Sequence, residues 1–171
     1  MPTAKYQLAD FLATVNEPDR HFVRSVHDML LQAGYKPKVQ VTKTYGLHLL
    51  YAQPKIKTVK GIVTYFIMRD GKLMVRINAD HYVKYAEVLE RWPESIVSQI
   101  NNADDCIKMK DPQKCWQGCM GYDLHIGGKR YQKCLTNCFL LDVNAESFPL
   151  LVEMIRREVG ERGCVGSHLM A

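Results

Sequence analysis

The chain is short of several things, and each shortage narrows what it can be. No apolar run approaches the roughly 18 residues that a bilayer-spanning helix needs, and mean hydropathy is -0.22. Both argue against a membrane-spanning chain. Met1-Pro2-Thr3-Ala4-Lys5-Tyr6 lacks the hydrophobic stretch of a secretory leader, so the expectation is a soluble, cytoplasmic protein. The hydrolase elbow G-x-S-x-G, the phosphate-binding P-loop and the dinucleotide fingerprint are all missing. That removes the commonest motif-borne enzyme classes and leans the reading away from an enzyme. Internal repeats, linkers and low-complexity tracts are missing too. Finally, from Met29 through Arg69 there is no aspartate or glutamate at all.

What is present is ordinary for a folded domain. The 171 residues are 47% hydrophobic and 24% charged, enough to enclose a core without help from disulfides or a partner. Phe22, Val23, Val26, Met29, Leu30 and Ala33 recur every three or four residues, an apolar stripe that predicts a helix opened by Pro18 and stopped by Gly34. Leu8, Phe11 and Leu12 suggest a short turn of helix before it. From Pro37 the period changes to two, with strands expected near 37–42, 47–51, 62–68 and 73–77. The last two flank Arg69-Asp70-Gly71-Lys72, with the Asp-Gly pair of tight hairpins. Tyr82 to Leu89 returns to helical spacing with Asp80 as the expected cap. Pro93 breaks it, and Ile96, Val97 and Ile100 mark a further helix.

Residues 101–121 show no period. A second hairpin follows around Gly127-Gly128, with its second strand expected to continue through Phe139 to Val143. Phe148, Leu151, Val152, Ile155 and Val159 mark the last helix, capped by Asn144 or Ser147. Strands joined by tight turns, with helices before, between and after, predict an α+β fold: an antiparallel sheet built from hairpins, with helices packed mainly on one face. Residues 1–162 are expected to form a single domain with a cysteine-bearing hairpin at 115–139. Gly-Ser-His followed by Met in 163–171 reads as a cloning-derived tail.

Five cysteines precede that tail. Cys115, Cys119, Cys134 and Cys138 form two C-x3-C pairs, a loose match to zinc spacing. A two-residue turn at Gly127-Gly128 pairs Ile126 with Lys129, Leu124 with Tyr131 and Tyr122 with Lys133. Tyr122, Leu124, Ile126, Tyr131, Leu135 and Phe139 then share an apolar face. Asp123, His125, Arg130, Gln132, Cys134 and Cys138 take the other, and extending the first strand backwards through Gly121 adds Cys119 and Cys115. On that register the four thiols could hold a structural zinc. Core filling by free thiols and a dithiol or disulfide pair stay open beside it. Cys106, behind Asp104-Asp105, is a poor nucleophile.

Net charge is +5, and the acid-free stretch carries Lys36, Lys38, Lys43, Lys55, Lys57, Lys60 and Arg69, interleaved with Tyr35, Tyr45 and Tyr51. The whole basic surplus therefore lives on the first sheet. Lysines there can guard a strand edge against aggregation, or can bind anions and single-stranded nucleic acid. Among the histidines, His27 is expected to be partly covered, His48 to face solvent, and His81 to sit at a helix start. Trp92, Trp116, Tyr82, Tyr85 and Tyr122 are expected in the core or around an apolar cleft. The functional expectation is a small ligand- or partner-binding domain whose cysteine cluster holds zinc. A thiol-dependent redox or transfer enzyme and a nucleic-acid binder using residues 29–69 are the alternatives.

Overall fold

The computed structural model describes residues 6–52, 63–115, 117 and 119–167. Helix α1 (Leu8–Ala13) and helix α2 (Glu17–Gln32) open the chain, with Pro18 in the first turn of α2, where a missing N–H costs no hydrogen bond. Phe22, Val23, Val26 and Leu30 form the buried stripe of α2. Four strands follow: β1 (Lys36–Thr42), β2 (Gly46–Ala52), β3 (Val63–Arg69) and β4 (Lys72–Ile77). Asp70 and Gly71 both take positive φ, 51° and 76°. That is the geometry a two-residue hairpin demands, and the Asp-Gly pair supplies it with little strain.

Next come a 3-10 turn at Tyr82–Tyr85, α3 (Ala86–Glu90), α4 (Glu94–Asn102) and α5 (Ile107–Lys110). A second hairpin, β5 (Tyr122–Ile126) and β6 (Lys129–Lys133), precedes β7 (Leu140–Asp142) and the long α6 (Ser147–Ser167). The strands make an antiparallel five-stranded sheet in the order β1-β2-β3-β4-β7, with β5-β6 a separate two-stranded sheet. This is the α+β architecture that the hairpin pattern predicts.

Register decides which face is the core. Val39, Leu49, Phe66, Val75 and Leu141 lie opposite one another in sequence across all five strands, and residues directly opposite share a face. Onto that row come Phe11 of α1 and Phe22 of α2, whose rings stand 6.4 and 5.7 Å from Phe66. Phe22 also meets Phe148 of α6 at 5.0 Å. The β5-β6 hairpin lies against the β7 end of this core. Tyr122 touches Phe139 at 4.7 Å, and its hydroxyl accepts from the Ala79 N–H at 3.0 Å. Its register, Tyr122 with Lys133 through Ile126 with Lys129, is the one expected from Gly127-Gly128. Tyr122, Leu124, Ile126, Tyr131 and Phe139 are buried and Leu135 is half-buried.

Four expectations need correction. Tyr82–Leu89 is not one helix capped by Asp80 but a 3-10 turn followed by a short α-helix. There the Tyr82 and Tyr85 hydroxyls are held by distant partners, Asp123 and Glu158, and tertiary anchoring overrides the helical period. Residues 139–143 do not prolong β6: the Cys138 N–H donates to the Cys134 carbonyl at 3.1 Å, closing a turn that redirects the chain. β7 then pairs with β4. The backward extension of β5 stops at Gly121, whose φ is +66°. Helix α6 continues to Ser167, past residue 162, where the domain was expected to end. Arg162, bonded to Glu158 and Asp80, ties it to the loop after β4.

Candidate functional site

The second face of the five-stranded sheet follows from the same register. Gln40, His48, Ile67, Met74 and Asp142 make the row beside the core row, so their side of the pleat is the opposite one. Counting by twos along each strand places Lys36 and Lys38 of β1, Arg69 of β3, and Lys72 and Arg76 of β4 on this same side. Lys36, Lys38, Arg69 and Lys72 are exposed. Among the described residues none of these four makes an ion pair. Arg69 and Lys72 are direct partners across the hairpin, and like charges so placed repel. The Nη1 of Arg76 donates to the Tyr45 hydroxyl at 3.1 Å, and Asp142 is the acidic residue at the far edge. Lys43, in the β1–β2 turn, is exposed too. The positions of Lys55, Lys57 and Lys60 lie outside the described residues.

His48 differs from expectation: it is buried. Its Nδ1 donates to the Gly46 carbonyl at 3.0 Å, its Nε2 accepts from the Gln40 amide at 2.9 Å, and the Tyr45 ring stands edge-on at 5.8 Å. Polar partners made its burial tolerable, and parity alone gave no sign of Tyr45 folding over it.

The cysteines are divided between environments. Cys106, Cys119 and Cys138 are buried, while Cys115 and Cys134 are half-buried, and none of the five is in a disulfide. Cys138 belongs to the hydrophobic core. Burial pushes its thiol well above the usual range, against the pull of the Lys133 ammonium, with Cys134 adding to the rise. Cys134 lies in the turn with its Sγ 3.2 Å from the Thr136 hydroxyl. Among the described residues no group of three or more His, Cys, Asp or Glu side chains is placed to hold a metal ion. The face-sharing argument for zinc rested on strands extending through Cys134–Cys138 and Cys115–Cys119, and none of the described residues in either stretch is strand.

Cys106 instead joins the small sheet from the side. Its N–H donates to the Gln132 carbonyl at 2.9 Å, and the Cys134 N–H donates to that of Asp104 at 2.8 Å. Lys133 beside it is buried, its Nζ donating to the Asn101 and Ala103 carbonyls at 2.7 and 2.9 Å and to Asp105 at 3.0 Å. It thereby caps the C-terminal end of α4, where cations are favoured. Hydrogen bonds from Lys110 and Lys133 hold the Asp105 carboxyl down to about 2.

A third group of polar side chains escaped sequence reasoning. Glu158 of α6 is fully buried and accepts from the Tyr85 hydroxyl (2.6 Å), the His81 N–H (3.1 Å), His81 Nδ1 (3.0 Å) and Arg162 Nε (2.6 Å). Arg162 also reaches the Asn78 carbonyl and Asp80, both at 2.8 Å. Burial raises the Glu158 pKa, and the hydrogen bonds from Tyr85, Arg162 and His81 more than reverse this, leaving it below the ordinary value. The signal was available: Leu151, Ile155, Glu158 and Arg162 continue one helical stripe, so a glutamate stands at a core position.

With the geometry in place, comparison with known proteins adds nothing further: no protein family, curated protein or solved structure matches this chain. No helix among the described residues is long and apolar enough to cross a membrane.

Proposed function

We propose that this protein is a binding domain for a polyanionic ligand of the single-stranded nucleic-acid class, held on the face of the five-stranded sheet away from α1 and α2. One observation carries the reading. Lys36, Lys38, Arg69 and Lys72 lie on that face exposed, Arg69 directly opposite Lys72, without carboxylate partners among the described residues. Paired lysines elsewhere in the chain, such as Lys84 with Glu161 and Lys110 with Asp105, show the usual alternative. Unneutralised cations on one surface raise the local concentration of anions and release counterions when phosphates replace them.

Shape favours a single strand over a duplex. From β1 to β4 the cations are spread over three strand spacings, roughly 14 Å. Arg69 with Lys72 lies four residues, roughly 13 Å, along the strands from the row of Lys38 and Arg76, so the charges run diagonally over the sheet. The major groove, about 12 Å wide, admits a helix or a two-stranded ribbon but not a five-stranded sheet. An extended strand can instead run diagonally over this face, its phosphates on the lysines and arginines.

The test is a titration of the protein with a mixed-sequence single-stranded oligonucleotide, followed through backbone amide NMR shifts, with the duplex of the same sequence alongside. Shifts concentrated in 36–45 and 69–76, and weaker binding of the duplex, support the reading. Shifts confined to α2 and α6, or no binding at low salt, contradict it.

A further inference from the structure

We propose that Cys134 and Cys138 are a dithiol–disulfide exchange site, with Cys134 the thiol that meets the oxidant and Cys138 the thiol that resolves it. Three features of the turn between β6 and β7 lead there. The Cys138 N–H to Cys134 carbonyl bond at 3.1 Å closes a single α-helical turn, which sets the two Cα atoms roughly 6 Å apart. That lies inside the range a disulfide spans, roughly 4.4–6.8 Å. Side chains four apart on such a turn have Cβ atoms about 5–6 Å apart, so closing to the roughly 3.5–4.5 Å of a disulfide asks for a small tightening. Residues 134–139 form a lone turn rather than part of a longer helix, so no helical neighbours oppose that movement.

The second feature is asymmetry. Cys134 is half-buried and reachable, whereas Cys138 is sealed in the core. Such a pair lets one thiol react from solvent and keeps the other from being capped separately. The third is the Lys133 ammonium. Burial raises the Cys138 thiol well above the usual range, and the Lys133 charge opposes that rise without reversing it, so the second, thiolate-dependent step is the slow one.

The oxidant is a low-molecular-weight disulfide. The Cys134 thiolate attacks one of its sulfurs, forming a mixed disulfide and expelling one small thiolate, which takes a proton from water. Cys138 then gives up its proton and attacks the Cys134 sulfur, expelling the second small thiolate. Two protein thiols are oxidised to one disulfide, and the small disulfide is reduced to two thiols. Excess small thiol runs the sequence backwards.

Oxidised glutathione is the probe, in graded mixtures with its reduced form, quenched by alkylation and read by mass spectrometry. Trypsin cleavage after Lys133 and Arg156 releases one peptide that holds Cys134 and Cys138 and no other cysteine, while Cys115 and Cys119 fall on another, 115–129. The 134–156 peptide is expected to lose both alkylation sites together, without a lasting glutathione adduct, and to regain them in reduced glutathione. Cys134→Ser, at a half-buried position outside the core, should abolish both the adduct and the bridge. Cys138→Ala should trap the adduct on Cys134; because that residue fills core space, the wild-type mapping and Cys134→Ser decide the matter if this variant does not fold. A stable adduct on wild-type Cys134, a bridge mapped to Cys115–Cys119, or no reaction of the native protein would each overturn the assignment.

Discussion

Replacing Glu158 by glutamine removes one charge from the inside of the molecule and nearly nothing from its volume. The carboxylate now receives four donors: the Tyr85 hydroxyl, the His81 N–H, the His81 ring and the Arg162 guanidinium. A glutamine offers one oxygen to those donors and turns its own N–H groups towards the others. At least one strong charge-assisted bond is lost and another donor is orphaned, each worth about 1–3 kcal/mol. Arg162 keeps Asp80 and Asn78 as partners, which limits the damage. The expected cost of Glu158→Gln is about 3 kcal/mol, near the low end for breaking a buried pair. For a chain of this length that lowers Tm by roughly 6–12 °C.

The pH dependence follows from the direction of the shift. The folded pKa of Glu158 is depressed, so its contribution is complete above the unfolded value of about 4.3. It is lost as pH falls through that value towards the folded one. The glutamine variant has no such group, so the gap between the two unfolding curves should narrow in acid. Denaturant unfolding at neutral pH and near pH 3 checks both points. A neutral-pH loss below about 1 kcal/mol, or a gap that widens in acid, would mean that Glu158 is not held as an ionised, bonded carboxylate.

Other substitutions test other joints of the fold. Lys133→Met takes the ammonium from the Asn101 and Ala103 carbonyls and should cost about 2 kcal/mol in denaturant unfolding, since buried acceptors are left unpaired. Gly121→Ala meets two obstacles, a φ of +66° and a Cβ that would run into the Cys106 sulfur. A loss of about 2–4 kcal/mol is expected, partly restored by adding Cys106→Ala, because strain and overpacking are separate mechanisms.

How much was legible beforehand depends on how local the cause is. The Asp70-Gly71 and Gly127-Gly128 turns fix their own registers, so the hairpins, their faces and the basic side of the sheet could be read from residue order. Lys72 and Arg76 could have been added to that side by counting from Arg69 across the turn. What failed depended on distant partners. Tyr82 and Tyr85 leave the α-helical path because Asp123 and Glu158 hold their hydroxyls. His48 is buried because Gln40 and Tyr45 supply polar and aromatic cover. The strand expected to run on past Lys133 ends for a local reason instead, one backbone bond from Cys138 to Cys134 that turns the chain. Alternation says nothing about where a strand ends.

If phosphates replace counterions on the basic sheet face, affinity must fall with salt in proportion to the phosphates neutralised. Each phosphate neutralised on a single strand contributes about −0.7 to the slope of log K against log salt. With Lys36, Lys38, Arg69 and Lys72 engaged, the wild-type slope for a single-stranded oligonucleotide of roughly a dozen nucleotides should be about −3. Lys36→Glu with Lys38→Glu should weaken binding and flatten the slope by about 1.4, the share of two phosphates. The same charge change at Lys84 and Lys110, which are paired with carboxylates away from this face, should leave the slope unchanged. A slope near zero, or equal flattening by both pairs of substitutions, would contradict the account.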